Sequence, residues 1–156
     1  MRRRFLVWLA ISVAVTVFIF SNSIESPEDS SSTSSFVANM LRPLFEIFVD
    51  TTKFNFELFV RKLAHFVEFA ALGVSVGCMT RYGEKLFRKH FRGYSLFYLL
   101  AIAVLDEFIQ KFFERGSSVS DVLLDFSGAI FGVTVINLAL LCVKKLKRTM
   151  KKPSSN

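Results

Sequence analysis

Arg61, Lys62, His65 and Glu68 open one apolar stretch of the chain, Asp106, Glu107 and Gln110 close a second, and Asp121 and Asp125 open a third. In helical register Arg61, His65, Glu68 and Leu72 share a face, as do Asp106 and Gln110, and again Asp121 and Asp125. A histidine beside carboxylates can do general acid–base chemistry, with His65 as base and Glu68 as its orienter; Asp106 and Glu107 are further candidates for proton transfer. Two carboxylates on separate helices, Asp106 and Asp121, are a candidate divalent-cation site. Arg61, Lys62 and Arg115 offer cations that pair with phosphate or carboxylate, and Ser117 and Ser118 lie beside Arg115.

Each of these residues also has a plainer use. Arg61 and Lys62 can snorkel to lipid headgroups. Ser118 and Asp121 have the spacing of a capping box, with Asp121 favoured by the helix dipole. Asp106, Glu107 and Asp125 resist such readings. They lie inside apolar runs, where an ionisable group costs about 2.5–3.5 kcal/mol at a membrane's centre, and they demand cationic partners, protonation or a bound cation. There is no HExxH and no nucleophile motif, and Cys78 and Cys142 have no zinc-type spacing. Both cysteines read as reduced packing residues at cytoplasmic helix ends.

The elements that carry these residues follow from hydropathy and charge. The chain has 156 residues, of which 52% are hydrophobic, and its net charge is +7. Most of its Lys and Arg residues fall in three clusters: Arg2–Arg4; Arg81, Lys85, Arg88, Lys89 and Arg92; and Lys144, Lys145, Lys147, Arg148, Lys151 and Lys152. These alternate with apolar runs in the positive-inside manner, so the charge points to anionic lipid and not to nucleic acid. Spans are expected at about 5–20, 63–79, 94–113 and 121–143, with both termini cytoplasmic.

The first apolar run, Phe5–Phe20, extends across about 24–27 Å with its flanks. It reads as an uncleaved span, with signal-peptide cleavage near Ser21–Ser23 as the alternative. Residues 21–35, rich in Ser, read as a flexible outer loop. From Phe36 to about Val49 apolar residues recur at helical spacing around Arg42, Pro43 and Glu46. This is too short to span and is expected to be an interfacial amphipathic helix on the outer side. A second amphipathic stretch, Phe54–Lys62, leads into the next span. Gly73 and Gly77, and Gly128 and Gly132, form small-xxx-small motifs; the second shares a face with Asp121 and Asp125. The expected fold is an all-α membrane protein, a small bundle of four transmembrane helices. All the polar positions then lie in the outer half, where one outward-facing pocket would satisfy them together. The number of copies in the assembly is left open.

Arg61-Lys-Leu-Ala-His-Phe-Val-Glu-Phe69, Leu105-Asp-Glu-Phe-Ile-Gln110, and Arg115 through Asp121 with Asp125 and Gly128 resemble the VanZ-like family. Its pattern is approximately K-x-x-H-x-x-E-[YF], D-E-x-x-Q, R and D-x-x-x-N-x-x-G. Trp8 and Phe20-Ser21-Asn22-Ser23 resemble that family's first span and its exit. One departure stands out: Asp125 replaces the family's Asn. The resemblance implies a bacterial, mostly Gram-positive, envelope protein of the cytoplasmic membrane, whose namesake gives low-level resistance to teicoplanin, an acylated glycopeptide.

Three functions fit these features. The first is a non-enzymatic pocket for a cell-wall precursor, lipid headgroup or lipoglycopeptide, with Arg61, Lys62, His65, Glu68, Asp106, Glu107, Gln110, Arg115, Ser118, Asp121 and Asp125 as lining. It needs no cofactor. The second is a membrane-embedded hydrolase or transferase acting on an outer-leaflet lipid, assisted by a divalent cation at Asp106 and Asp121. The third is an ion-coupled transporter, against which stands the confinement of ionisable groups to one half of the spans.

Overall fold

The computed structural model describes residues 1–47, 51, 54–114, 116 and 118–150. Among these it is all-helical, with five helices: α1 (Arg2–Ser23), α2 (Pro27–Phe45), α3 (Phe56–Phe87), α4 (Arg92–Phe112) and α5 (Val119–Met150). Three of them, α1, α3 and α5, are long and apolar enough to cross a membrane. The remaining expected span coincides with α4, whose last two turns hold Asp106, Glu107 and Gln110, and which is not among those three.

The bundle is organised around the crossing of α3 and α5. A Cβ on Gly73 would sit 2.0 Å from the Ala129 carbonyl oxygen, and one on Gly132 would sit 2.0 Å from that of Ala70. Only glycine permits this backbone-to-backbone approach, so the two small-xxx-small motifs meet each other as their spacing predicts. Ile19, Phe69, Leu72, Val76, Leu99, Ile102, Ala103 and Ala129 form the buried core around the crossing. Outside it the helices expose large apolar side chains, among them Val17, Phe18, Phe97, Val104, Val135 and Leu138. Water would not tolerate so much apolar exterior; hydrocarbon does.

Two expectations change. The Ser-rich segment expected as a flexible loop is helical over most of its length: α1 continues through Ser23, and α2 starts at Pro27, nine residues ahead of the expected Phe36. Proline at a helix's first position forfeits only an N–H that has no partner there. Tertiary packing then outweighs the weak propensity of serine, because Ala38, with Val37, Leu41 and Phe45, rests on Phe56 and Val60 of α3. Polar contacts also reach past the expected outer half. The Ser12 and Ser75 hydroxyls lie 3.2 Å apart, Thr16 and Tyr98 share a hydrogen bond at 2.8 Å, and Thr80 and Ser95 share one at 2.5 Å. Such hydroxyls satisfy themselves on their own helix, as when Ser12 donates to the Trp8 carbonyl at 2.8 Å, so they cost little in an apolar run and hydropathy passes over them.

The amphipathic stretch from Phe54 leads into the next span as expected: from Phe56 it is the first part of α3, capped by the Asn55 side chain accepting the Leu58 N–H at 3.0 Å. The chain ends of the bundle sort by charge. Phe5 packs edge-on against Phe87 at 5.6 Å, which sets the start of α1 beside the end of α3, and Leu141 of α5 shares a groove there with Arg81 and Arg92. That is the basic end. The opposite, acidic end gathers the end of α1, the start of α3, the end of α4 and the start of α5.

Candidate polar site at the acidic end

Four helices deliver the polar side chains, each within about three turns of its terminus. His65 comes from α3, Asp106 from α4 and Asp125 from α5. His65 Nδ1 lies 3.8 Å from Asp106 Oδ2 and 3.9 Å from Asp125 Oδ1. Both carboxylates are shut away from solvent, at 0% and 1% side-chain exposure, while the imidazole keeps 15%. One donor atom from each of the three residues lies within 4.8 Å of the other two, so this trio is a place among the described residues where a metal ion would find ligands together.

Around the trio the side chains are tied down. The Ser23 hydroxyl donates a hydrogen bond to Asp106 Oδ1, and Gln110 Nε2 donates to Asp106 Oδ2 at 2.9 Å. Asn22 Nδ2 donates to Glu68 Oε1 at 2.9 Å. Asp121 takes Lys62 Nζ at 2.7 Å on one oxygen and the Ser118 hydroxyl at 2.8 Å on the other, and its N–H reaches Ser118 Oγ at 3.3 Å. Ser118 thus caps the Asp121 N–H as the spacing predicts, but the reciprocal half of a capping box is not made, and the Asp121 carboxylate takes the Lys62 ion pair instead. Glu107, also buried, accepts the Ser118 N–H at 3.2 Å. Asp125 Oδ2 is buried with no hydrogen-bond partner among the described residues.

Above the trio is a cavity of about 70 Å³, lined by Leu58, Arg61, Lys62, His65, Glu107, Gln110, Gly116, Asp121, Leu124 and Asp125. The predicted residues Arg61, Lys62, His65, Glu107, Gln110, Asp121 and Asp125 thus share one space, whereas Asp106 and Glu68 do not line it: Asp106 lies behind His65 and Gln110, and Glu68 is held by Asn22 of α1. Arg115 and Ser117 lie outside the described residues. Two residues were missing from the expected set, Asn22 and Ser23. Their signal was present in the Phe20-Ser21-Asn22-Ser23 stretch, which reads equally as a cleavage site or a polar exit and so gave no hint of Glu68 or Asp106 as partners.

An apolar-coated bundle with buried carboxylates gathered at one end is a helical membrane protein with a built polar site. The VanZ/LLP1 family pattern matches residues 5–141, and the chain belongs to that family. No curated protein and no solved structure matches it.

Proposed function

We propose that this chain spans the bacterial cytoplasmic membrane four times, through α1, α3, α4 and α5, with both termini cytoplasmic and the acidic end facing outward. There it binds the anionic headgroup of an outer-leaflet lipid or lipid-linked cell-wall precursor. The observation that carries this reading is the cavity beside Arg61 and Lys62, with His65 and Asp125 at its base. At about 70 Å³ it holds roughly two waters' worth of volume, enough for a phosphate-sized group and far too little for a glycopeptide. The rest of such a ligand would stay in the lipid beside it.

Orientation follows from charge, since the clusters at Arg2–Arg4, Arg81–Arg92 and Lys144–Lys147 gather at one end. An uncleaved α1 is supported by the bonds that Asn22 and Ser23 make to Glu68 and Asp106. The interfacial placing of α2 is supported by its two apolar faces. One packs on α3, and the other leaves Phe36, Met40 and Leu44 exposed at 72%, 73% and 58%.

Occupying the outer-leaflet surface in this way would interfere with a glycopeptide that anchors by an acyl chain, an anchor worth about 0.8 kcal/mol per buried CH₂. Expression in a susceptible host should therefore raise the inhibitory concentration of teicoplanin more than that of vancomycin. His65→Ala should abolish the effect at unchanged membrane abundance. Equal protection by wild type and His65→Ala would remove the pocket from the function. Vesicles carrying phosphatidylglycerol or an isoprenoid diphosphate separate the two ligand sources, by which of them raises the melting temperature of the purified protein.

A second reading, a hydrolase or transferase working on such a lipid, is favoured by the approach of His65 to Asp106, which suits a general base and its orienter. Turnover of either vesicle lipid by purified protein, lost in His65→Ala, would establish it.

A further inference from the structure

We propose that His65, Asp106 and Asp125 form a binding site for one divalent transition-metal cation of the Zn²⁺ or Mn²⁺ kind. The inference concerns the ion and not the headgroup, so it stands or falls apart from the function proposed above. Three separate helices each present one donor atom, and the separations of 3.8 and 3.9 Å from His65 Nδ1 suit a shared ion. An ion bonded at about 2.0–2.2 Å to two ligands holds them roughly 3.4–4.2 Å apart, depending on the angle between them. The trio's donor atoms lie within 4.8 Å of one another, so its widest separation would close to about 4.2 Å or less around an ion, while the glycine-locked crossing of α3 and α5 keeps the backbones that carry His65 and Asp125 in place.

A second observation is independent of the spacing. Asp125 is 1% exposed, and its Oδ2 has no hydrogen-bond partner among the described residues. A buried carboxylate oxygen without a partner is costly, and a cation bound by that carboxylate removes the cost. The surroundings are also those of a ligand shell. Asp106 is oriented by the Ser23 hydroxyl on one oxygen and the Gln110 amide on the other, as outer partners commonly orient a metal-bound carboxylate.

One imidazole with two carboxylates selects a first-row transition ion over Ca²⁺, which prefers an all-oxygen shell. Three protein ligands leave a position open toward the cavity that His65 and Asp125 line. Water or a phosphate oxygen could occupy it. The ligand that completes the set is Asp125, the position at which the sequence departs from the Asn of the family pattern. Asparagine there has nearly the same shape but no negative charge.

That isostere provides the test. The full chain, purified in detergent and stripped with EDTA, is titrated with Zn²⁺ and Mn²⁺ while bound metal and melting temperature are followed. Wild type should bind one ion per chain and melt at a higher temperature when loaded, since a ligand of the folded state alone stabilises it. Asp125→Asn should fold and lose affinity by about tenfold or more, a loss at least as large as removing an outer-shell partner causes. His65→Gln should lose it too, and Glu84→Gln at the basic end should not. The assignment is overturned if wild type binds no more metal than Asp125→Asn. It is equally overturned if Asp121→Asn loses as much as Asp125→Asn, which would move the ion to Asp106 and Asp121.

Discussion

The two ends of this bundle solve opposite problems. At the acidic end, Asp106, Glu107 and Asp125 are buried, and the helices close on them around a cavity of about 70 Å³. At the basic end, Arg81, Lys85 and Arg92 line an open groove of about 680 Å³ between α3, α4 and α5, alongside Val76, Leu99 and Val133. The difference comes from side-chain chemistry. A carboxylate on a short stem cannot reach out of a helix bundle, so burial obliges it to find donors on other helices. Arg and Lys carry their charge at the end of a long apolar stem, and Arg92, 81% exposed, reaches water without help, so nothing obliges the helices around it to close. Contacts agree with this contrast: Glu84 accepts the Phe91 N–H at 3.2 Å, while Arg92 and His90 beside it are 81% and 96% exposed.

The largest effect should come from the crossing on which both ends depend. Gly132→Leu sets a side chain against the Ala70 carbonyl and should prevent accumulation of monodisperse protein in detergent. Gly93→Ala, near the basic end with nothing within 4 Å of its Cβ, should melt within about 0.5 kcal/mol of wild type. Equal behaviour of the two variants would mean that α3 and α5 do not meet as described.

Next in size is the acidic network itself. Ser23→Ala removes the hydroxyl that α1 gives to the buried Asp106, and should cost about 1–3 kcal/mol. Thr80→Ala, on the basic side, removes a hydroxyl paired only with that of Ser95, and should cost about 0.5–1.5 kcal/mol. Denaturation in mixed micelles measures both. A Thr80→Ala cost equal to or larger than that of Ser23→Ala would break the contrast between a closed end and an open one.

How much of this was legible in the sequence differs between the ends in the same way. His65, Asp106, Gln110, Asp121 and Asp125 could be grouped because ionisable and amide residues in apolar runs are conspicuous and their depths matched. The glycine motifs were legible because their phase coincided with Asp121 and Asp125. The partners supplied by α1 were not, since Asn and Ser at a helix end have many uses and nothing local marks their targets. Nor was it legible that Asp125 joins His65 and Asp106 while Asp121 pairs with Lys62. Both aspartates sit one helical turn apart on a single face, and only the rotation of α5 against α3 decides which points inward. The helix at Pro27 was hidden because its first turns are serine-rich, and its stability comes from Ala38, Leu41 and Phe45 resting on α3.

The smallest expected effect is the finest test of the comparison, because it sets one ion pair from each end against the other. Lys62 Nζ lies 2.7 Å from Asp121 Oδ1, with side chains 43% and 24% exposed, and Ser118 holds the other oxygen of Asp121 in place. Arg92 Nε lies 3.6 Å from Glu84 Oε1, an oxygen that already accepts the Phe91 N–H, and the arginine is 81% exposed. Charge separation is greater in the second pair, screening is stronger, and the arginine gives up more rotamer freedom to stay put. A double-mutant cycle with Lys62→Met and Asp121→Asn should return a coupling near the top of the range for exposed pairs, about 0.5–1 kcal/mol. The cycle with Arg92→Gln and Glu84→Gln should return a value close to zero, about 0.2 kcal/mol or less. Raising the salt concentration should shrink the first coupling and leave nothing to shrink in the second. If the Arg92–Glu84 coupling proves the larger, the groove is closed more firmly than its open shape implies, and a long side-chain stem is not what distinguishes the two ends.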